Sequence, residues 1–300
     1  MSIALIIVPI FALILMGWAA RRWMESAEAF WRGLERLIYF VFFPALLFHT
    51  LSHARLVFAE ATPMLLVGIA FTVLGMGLGY LSQYLFRDPP RVYAAAFQCS
   101  FRFNSYVGLA VAGALHGKPG IAAIGLLMGF LVPLANVAAV AVLARHGEGH
   151  WLKSILGNPL ILATAGGLAF SQAGLSLPGV VDHTLELLAR ASLPLGLIAV
   201  GAGMRVSGLD HARGHLWYGV AVKLLLLPAI AWGLGRAAGL QGLWFDTALL
   251  LAALPHSTVA YLLAVRMGAD GQVSANQITL TTLLAMFTLP FWLALAAGPG

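Results

Sequence analysis

Apolar residues run through this 300-residue chain in long blocks, and polar residues gather in short breaks between them. A helix that crosses a bilayer needs about 20 predominantly apolar residues. The blocks therefore predict ten spans, at about 3–20, 36–52, 62–86, 92–116, 119–144, 155–173, 183–204, 215–237, 245–268 and 273–297. Helix-stopping residues fill the breaks, as in Arg87-Asp88-Pro89-Pro90-Arg91, Gly117-Lys118-Pro119-Gly120 and Arg145-His146-Gly147-Glu148-Gly149-His150. The fifth span ends near mid-chain, so the expected units are 1–148 and 149–300.

The two halves echo each other. Pro9 and Gly17 recur 150 residues on as Pro159 and Gly167, and Pro44 recurs as Pro194. Asn104-Ser105 aligns with His256-Ser257 at 152, and Phe130-x-x-Pro133 with Phe287-x-x-Pro290 at 157. Five spans per half is an odd number, so a second half of the same fold enters the membrane upside down. That is the inverted-repeat plan of many secondary transporters, whose sites lie near the midplane at broken helices.

Composition supports lipid as the solvent. The chain is 61% hydrophobic and 9% charged, whereas a soluble domain carries about 25% charge. Ten spans leave no room for a soluble catalytic domain. The formal charge of +6 is spread one or two residues at a time, which suits topology signals and not nucleic acid. Eleven basic residues fall in loops after odd-numbered spans and three after even-numbered ones. The expected orientation thus has odd loops in the cytoplasm and both termini outside. Arg21-Arg22 follow the first apolar run instead of preceding it, which predicts a retained first helix and not a cleaved signal peptide. Cys99 is the single cysteine, so no internal disulfide is expected.

Polar groups in hydrocarbon are costly and mark sites or partners. The fourth span holds Gln98, Ser100, Arg102, Asn104, Ser105 and Tyr106 near mid-depth, and the ninth holds Pro255, His256, Ser257 and Thr258. Pro255 lacks an N–H and clashes with the preceding turn, so the ninth helix should break there. Freed backbone groups must then find side chains, water or ligand. Arg102 keeps its charge and offers a planar fork of donors suited to a carboxylate. It reads either as an anion anchor or as one half of an ion pair, although no acidic residue falls near the middle of a predicted span. Asn104 and Ser105 read equally as substrate contacts or as caps for freed backbone. His256 is a candidate for proton coupling, or a neutral ring bonded to the broken backbone. Asn136 reads as interhelical glue, Glu186 and Arg190 as an i,i+4 pair, and Lys223 as a side chain reaching back to the interface. His49 and His53 lie one turn apart, but the pattern offers no further ligand, so neither a metal nor another cofactor is expected. Phosphate loops, H-E-x-x-H and nucleophile elbows are missing from the sequence, so no catalytic residue is assigned.

Taken together, several stretches resemble the auxin efflux carrier (AEC) family, the bacterial relatives of the plant PIN carriers within the bile-acid/arsenite/riboflavin transporter group. They are Leu37 to Leu51 around Pro44, Phe101-Arg102-Phe103-Asn104-Ser105-Tyr106-Val107-Gly108-Leu109-Ala110, and Asn158-Pro159-Leu160-Ile161-Leu162-Ala163. Ser192-Leu193-Pro194-Leu195-Gly196-Leu197 through Gly201-Ala202-Gly203-Met204, and Leu254-Pro255-His256-Ser257 through Arg266-Met267-Gly268, continue the family's order across both halves. The resemblance implies an all-α membrane protein of ten helices in two inverted five-helix repeats, with helices four and nine broken and crossing at the substrate site. It implies a scaffold of helices 1, 2, 6 and 7, often dimeric, and a transport domain of helices 3–5 and 8–10. Implied substrates are organic anions such as auxin, malate and malonate, carried by an elevator-like motion across the cell membrane. By motif position the crossing falls at Phe103-Asn104 and Pro255-His256, with Arg102, Asn104, Ser105, Tyr106, Pro255, His256, Ser257 and Thr258 as the site. The plant carriers have a proline in both crossing helices, whereas Phe103 stands opposite Pro255 here, so Asn104, Ser105 and Gly108 must open helix four. Their long hydrophilic loop is absent. The competing readings are a sodium-coupled carrier of the bile-acid type, an intramembrane enzyme, and a sensor or channel.

Overall fold

The computed structural model describes residues 3–24, 27–54, 58–143, 159–205 and 209–297, and every regular element among them is a helix. In chain order these are α1 (Ile3–Trp23), α2 (Glu28–Ser52), α3 (Phe58–Leu85), α4 (Pro90–Cys99), α5 (Ser105–Leu143), α6 (Pro159–Gln172) and α7 (Gly179–Gly203). They continue with α8 (Arg213–Ala237), α9 (Gly242–Ala253), α10 (Val259–Arg266) and α11 (Gly271–Ala297). Among the described residues seven of these helices, α1, α2, α3, α5, α7, α8 and α11, are long and apolar enough to cross a membrane. The expected join between halves at 145–153 lies outside the described residues.

Seven long helices and ten expected spans differ for physical reasons. The fourth and ninth spans are each cut in two, into α4 with the start of α5 and into α9 with α10. The described part of the sixth span, α6, has only 14 residues. Conversely, α5 joins the second part of the fourth span to the fifth at Gly117, whose φ of 61° and ψ of −144° only glycine adopts without strain. The chain doubles back there. A Cβ on Gly108 would meet Ile124 and Met128, residues that a straight helix would hold about 24 Å or more away. At α2 the sequence reading was too short: the helix begins at Glu28, eight residues before the expected start at 36, because Glu28 pairs with Arg205 (3.2 Å) and Trp31 is buried.

Glycine sets the tightest helix contacts. A Cβ on Gly17 of α1 would strike the backbone of Ile198 in α7, and one on Gly201 of α7 the backbone at Ile14. On the other side, Gly167 of α6 lies against Phe48 and Leu51 of α2. Small residues let backbones approach where lipid gives no hydrophobic drive between helices. Gly17 and Gly167, 150 residues apart in sequence, thus make matching contacts, α1 on α7 and α6 on α2.

Two proline sites shape the helices beside the breaks. Pro44 follows a π-helical turn at Ile38–Phe42 in α2, and Pro228 follows another at Val222–Leu226 in α8. A proline excludes the i−4 carbonyl from its usual partner, and a widened turn absorbs the misfit. At Pro228 that carbonyl, Leu224 O, accepts instead from Trp292 Nε1 at 2.8 Å.

The contacts between breaks fall into two sets. Asp88 bonds His215 (2.7 Å), Asp270 bonds His211 (2.7 Å), and the Asp270 N–H donates to Arg91 O (3.1 Å). With the Glu28–Arg205 pair, these contacts join breaks that follow odd-numbered spans. Breaks after even-numbered spans meet through Ser171 Oγ to Ala54 O (2.6 Å) and His116 to Asp246 (2.9 Å).

Candidate functional site

The helices α4 and α5 are separated by Ser100–Asn104, and α9 and α10 by Leu254–Thr258. The two breaks touch: the Asn104 N–H donates to Pro255 O at 2.9 Å. At the first break helix ends without a proline. Asn104 is the N-cap of α5, its Oδ1 accepting from the N–H groups of Tyr106 (3.0 Å) and Val107 (3.3 Å). Asparagine therefore supplies the start of the second half-helix, as expected of Asn104, and the Phe103 position does not prevent the break.

At the second break the partners come from elsewhere in the fold. Pro255 interrupts the helix, and the His256 N–H donates to Thr281 Oγ1 of α11 at 3.1 Å. Gln98 Nε2 of α4 donates to Ala260 O at 2.9 Å, fastening α10 to the first break. The carbonyl end of α9 meets Lys223, whose Nζ donates to Ala252 O at 3.0 Å. The expectation that Lys223 reaches back to the interface is wrong: it is 0% exposed. A half-helix ending inside the protein presents unpaired carbonyls and the negative end of its dipole, and the ammonium sits against them. At the start of α10, by contrast, Thr258 makes no side-chain capping bond.

A cleft of about 70 Å³ lies against the crossing, lined by Tyr39, Arg102, Phe103, Ser105, Val132, Ala135, Asn136, Leu160, Ser257 and Val259. Of the eight residues singled out from sequence, Arg102, Ser105 and Ser257 face this cleft. Thr258 lines a second one of about 80 Å³, together with Arg21, Arg32, Glu35 and Arg205. Asn104, Pro255 and His256 are buried in the crossing itself. Tyr106 stands apart from the cleft and stacks on Phe43 of α2 with ring centroids 4.3 Å apart.

The electrostatics of the cleft are one-sided. Arg102 is buried, its Nη1 has no hydrogen-bond partner, and among the described residues no carboxylate lies within 4 Å of it. Asn104 Nδ2 is also buried and unpartnered. Unsatisfied buried donors of this kind cost about 1–3 kcal/mol each, more when charged. Both ring nitrogens of His256 are likewise buried without a partner, and the ring is 0% exposed.

Sequence reasoning missed two polar members of the cleft wall. Tyr39 sits in the π-helical turn of α2, and the signal for it was Pro44, which displaces the helix register just ahead of it. Asn136 was read as interhelical glue, yet it lines the cleft. Glu186 and Arg190 pair as expected, at 2.7 Å.

Comparison with known proteins points to a family of membrane transporters. A family model described as "Membrane transport protein" matches residues 142–293. A Rhizobium meliloti protein named "Putative malonate transporter" is 23% identical over 296 residues, covering 95% of this chain and 92% of its own length. An "Uncharacterized transporter" of Methanothermobacter thermautotrophicus is 23% identical over 95% of this chain and 96% of its own. The rice protein named "Probable auxin efflux carrier component 1b" is 24% identical over 48% of this chain and 27% of its own. The molecule is a multi-pass membrane protein with a small-molecule substrate, and it belongs to the membrane transport protein family that includes the auxin efflux carriers.

Proposed function

We propose that this transporter carries a small organic anion, a mono- or dicarboxylate, bound at the crossing of the two broken helices. The observation that carries the reading is Arg102: a buried guanidinium facing the cleft with an unpartnered Nη1 and no nearby carboxylate among the described residues. The neighbouring start of α10, whose N-cap Thr258 makes no side-chain capping bond, adds backbone N–H groups and the positive end of a helix dipole. Ser105 and Ser257 hydroxyls complete a donor-rich wall.

The architecture proposed around this site is two inverted five-helix repeats, 1–148 and 149–300. The matching contacts of Gly17 and Gly167 and the separate bonding of odd and even breaks support it. Helices 1, 2, 6 and 7 form the scaffold, through which two copies pair, and helices 3–5 and 8–10 move as the transport domain in an elevator-like alternation of access. Loop charge supports a cytoplasmic face for the odd breaks, with both termini outside a bacterial inner membrane. No catalytic chemistry and no nucleic-acid partner enter this reading.

Lys223 bears on coupling. In broken-helix transporters the carbonyl ends of half-helices hold sodium or protons. Here the ammonium of Lys223 meets the carbonyl end of α9, which supports sodium-independent transport over a sodium-coupled carrier of the bile-acid type. His256, enclosed at the crossing, is retained as the proton-coupling candidate. The test is a screen of mono- and dicarboxylates, malonate included, for binding to purified protein and for saturable counterflow in proteoliposomes, with Arg102→Ala alongside. A ligand that binds wild type and Arg102→Ala equally well removes the anchor, and flux that requires sodium removes the sodium-independent reading.

A further inference from the structure

At the opposite end of α2 from Glu28, three side chains converge that the crossing does not use. The sequence offered two metal-ligand types one turn apart, His49 and His53. The fold adds a third, Asp182 in the first turn of α7, 129 residues beyond His53 in the chain. His49 Nε2 lies 3.2 Å from Asp182 Oδ1, and His53 Nε2 lies 3.4 Å from the same oxygen. The three ligand atoms all lie within 4.8 Å of one another.

The hydrogen bonding around these atoms is what turns the cluster into a site. His53 Nδ1 lies 2.8 Å from His49 O, and a carbonyl only accepts, so Nδ1 carries the hydrogen. In the neutral ring Nε2 is then a bare lone pair pointing at a carboxylate oxygen, two acceptors face to face. Asp182 Oδ1 is itself buried and makes no hydrogen bond among the described residues. Two negative or lone-pair atoms held this close call for a positive centre between them. A histidine that donates its other N–H to a backbone carbonyl is the usual outer support of a metal ligand.

We infer that His49, His53 and Asp182 form a divalent transition-metal site of zinc type that clamps α2 to α7. Zinc binds His nitrogen and Asp oxygen at about 2.0–2.2 Å in a tetrahedron, which puts neighbouring ligand atoms about 3.4 Å apart. The two His–Asp separations already have that spacing. Three protein ligands leave a fourth position for water, and the site is reachable: the His53 side chain is 47% exposed and that of Asp182 36%. Glu186, one turn beyond Asp182, is engaged by Arg190 and stays outside the set. Because both helices belong to the proposed scaffold, a metal here braces that part without touching the substrate cleft.

The test uses tag-free purified protein, stripped with a chelator and titrated calorimetrically with zinc chloride, and cobalt(II) as a spectroscopic probe. One zinc per chain is expected, with affinity reduced at least about tenfold in Asp182→Asn and in His53→Gln. His183→Gln, a change at an exposed neighbouring ring, should bind as wild type does. Cobalt should give the intense bands of a tetrahedral complex and lose them when zinc is added. The cobalt spectrum needs no variant, so it decides the matter even if a substitution spoils folding. No saturable zinc binding, an octahedral cobalt spectrum, or full affinity in Asp182→Asn would each overturn the site; the first of these would mean that protons alone separate the three atoms.

Discussion

The two breaks at the crossing do the same job by different means. At the first, between α4 and α5, the residue that opens the helix also closes the account locally: Asn104 accepts two N–H groups of the half-helix it starts. At the second, between α9 and α10, Pro255 interrupts the helix and distant helices supply the partners, Thr281 for His256 N–H, Lys223 for Ala252 O and Gln98 for Ala260 O. The first break is written in a few adjacent residues and the second in the packing of α4, α8 and α11 around it. The difference also leaves the start of α10 without a side-chain cap, while the start of α5 is capped. In the proposed reading, the start of α10 on the second break and the charge of Arg102 on the first would face an incoming anion together.

That division can be broken experimentally, and the largest effect should come from the charge. Arg102→Ala removes charge-assisted hydrogen bonds worth about 1.5–3 kcal/mol, so carboxylate affinity should fall roughly 10- to 100-fold in a binding titration. Thr281→Val leaves the buried His256 N–H without its acceptor. It should cost about 1–3 kcal/mol in thermal or denaturant unfolding, although Thr281 is remote in sequence from the break it supports. Asn104→Ala removes an N-cap and should cost about 1 kcal/mol in the same measurement. Thr258→Ala is the control at the equivalent start of α10. With no capping bond to lose, it should change stability by less than about 0.5 kcal/mol. Equal costs for Asn104→Ala and Thr258→Ala would erase the local-versus-distant distinction drawn here.

Much of this was legible along the chain because lipid simplifies the code. Apolar length announces the membrane-crossing helices, and the pairing of Asp88 with His215 and Asp270 with His211 joins segments at the edges of those apolar runs. Pro255 announced its break, since a missing donor acts within one turn of itself, whereas Asn104 reads equally as a cap or a substrate contact until its bonds to Tyr106 and Val107 are seen. Glu28 to Glu35 escaped because a charged first turn resembles a loop until the Glu28–Arg205 pair and the burial of Trp31 are seen.

The sequence by itself determined a membrane protein with a ninth span broken at Pro255 and an arginine, Arg102, near the middle of the fourth, since each follows from residues acting on their neighbours. Only the tertiary structure decided what those features meet. It put Lys223 on the carbonyl end of α9 and not at the interface, brought Tyr39 and Asn136 to the cleft, and set Asp182 beside His49 and His53. Each of these joins groups dozens of residues or more apart, and hydropathy and spacing carry no information about which helix faces which. That choice is made by close packing, as where Gly17 seats α1 on α7.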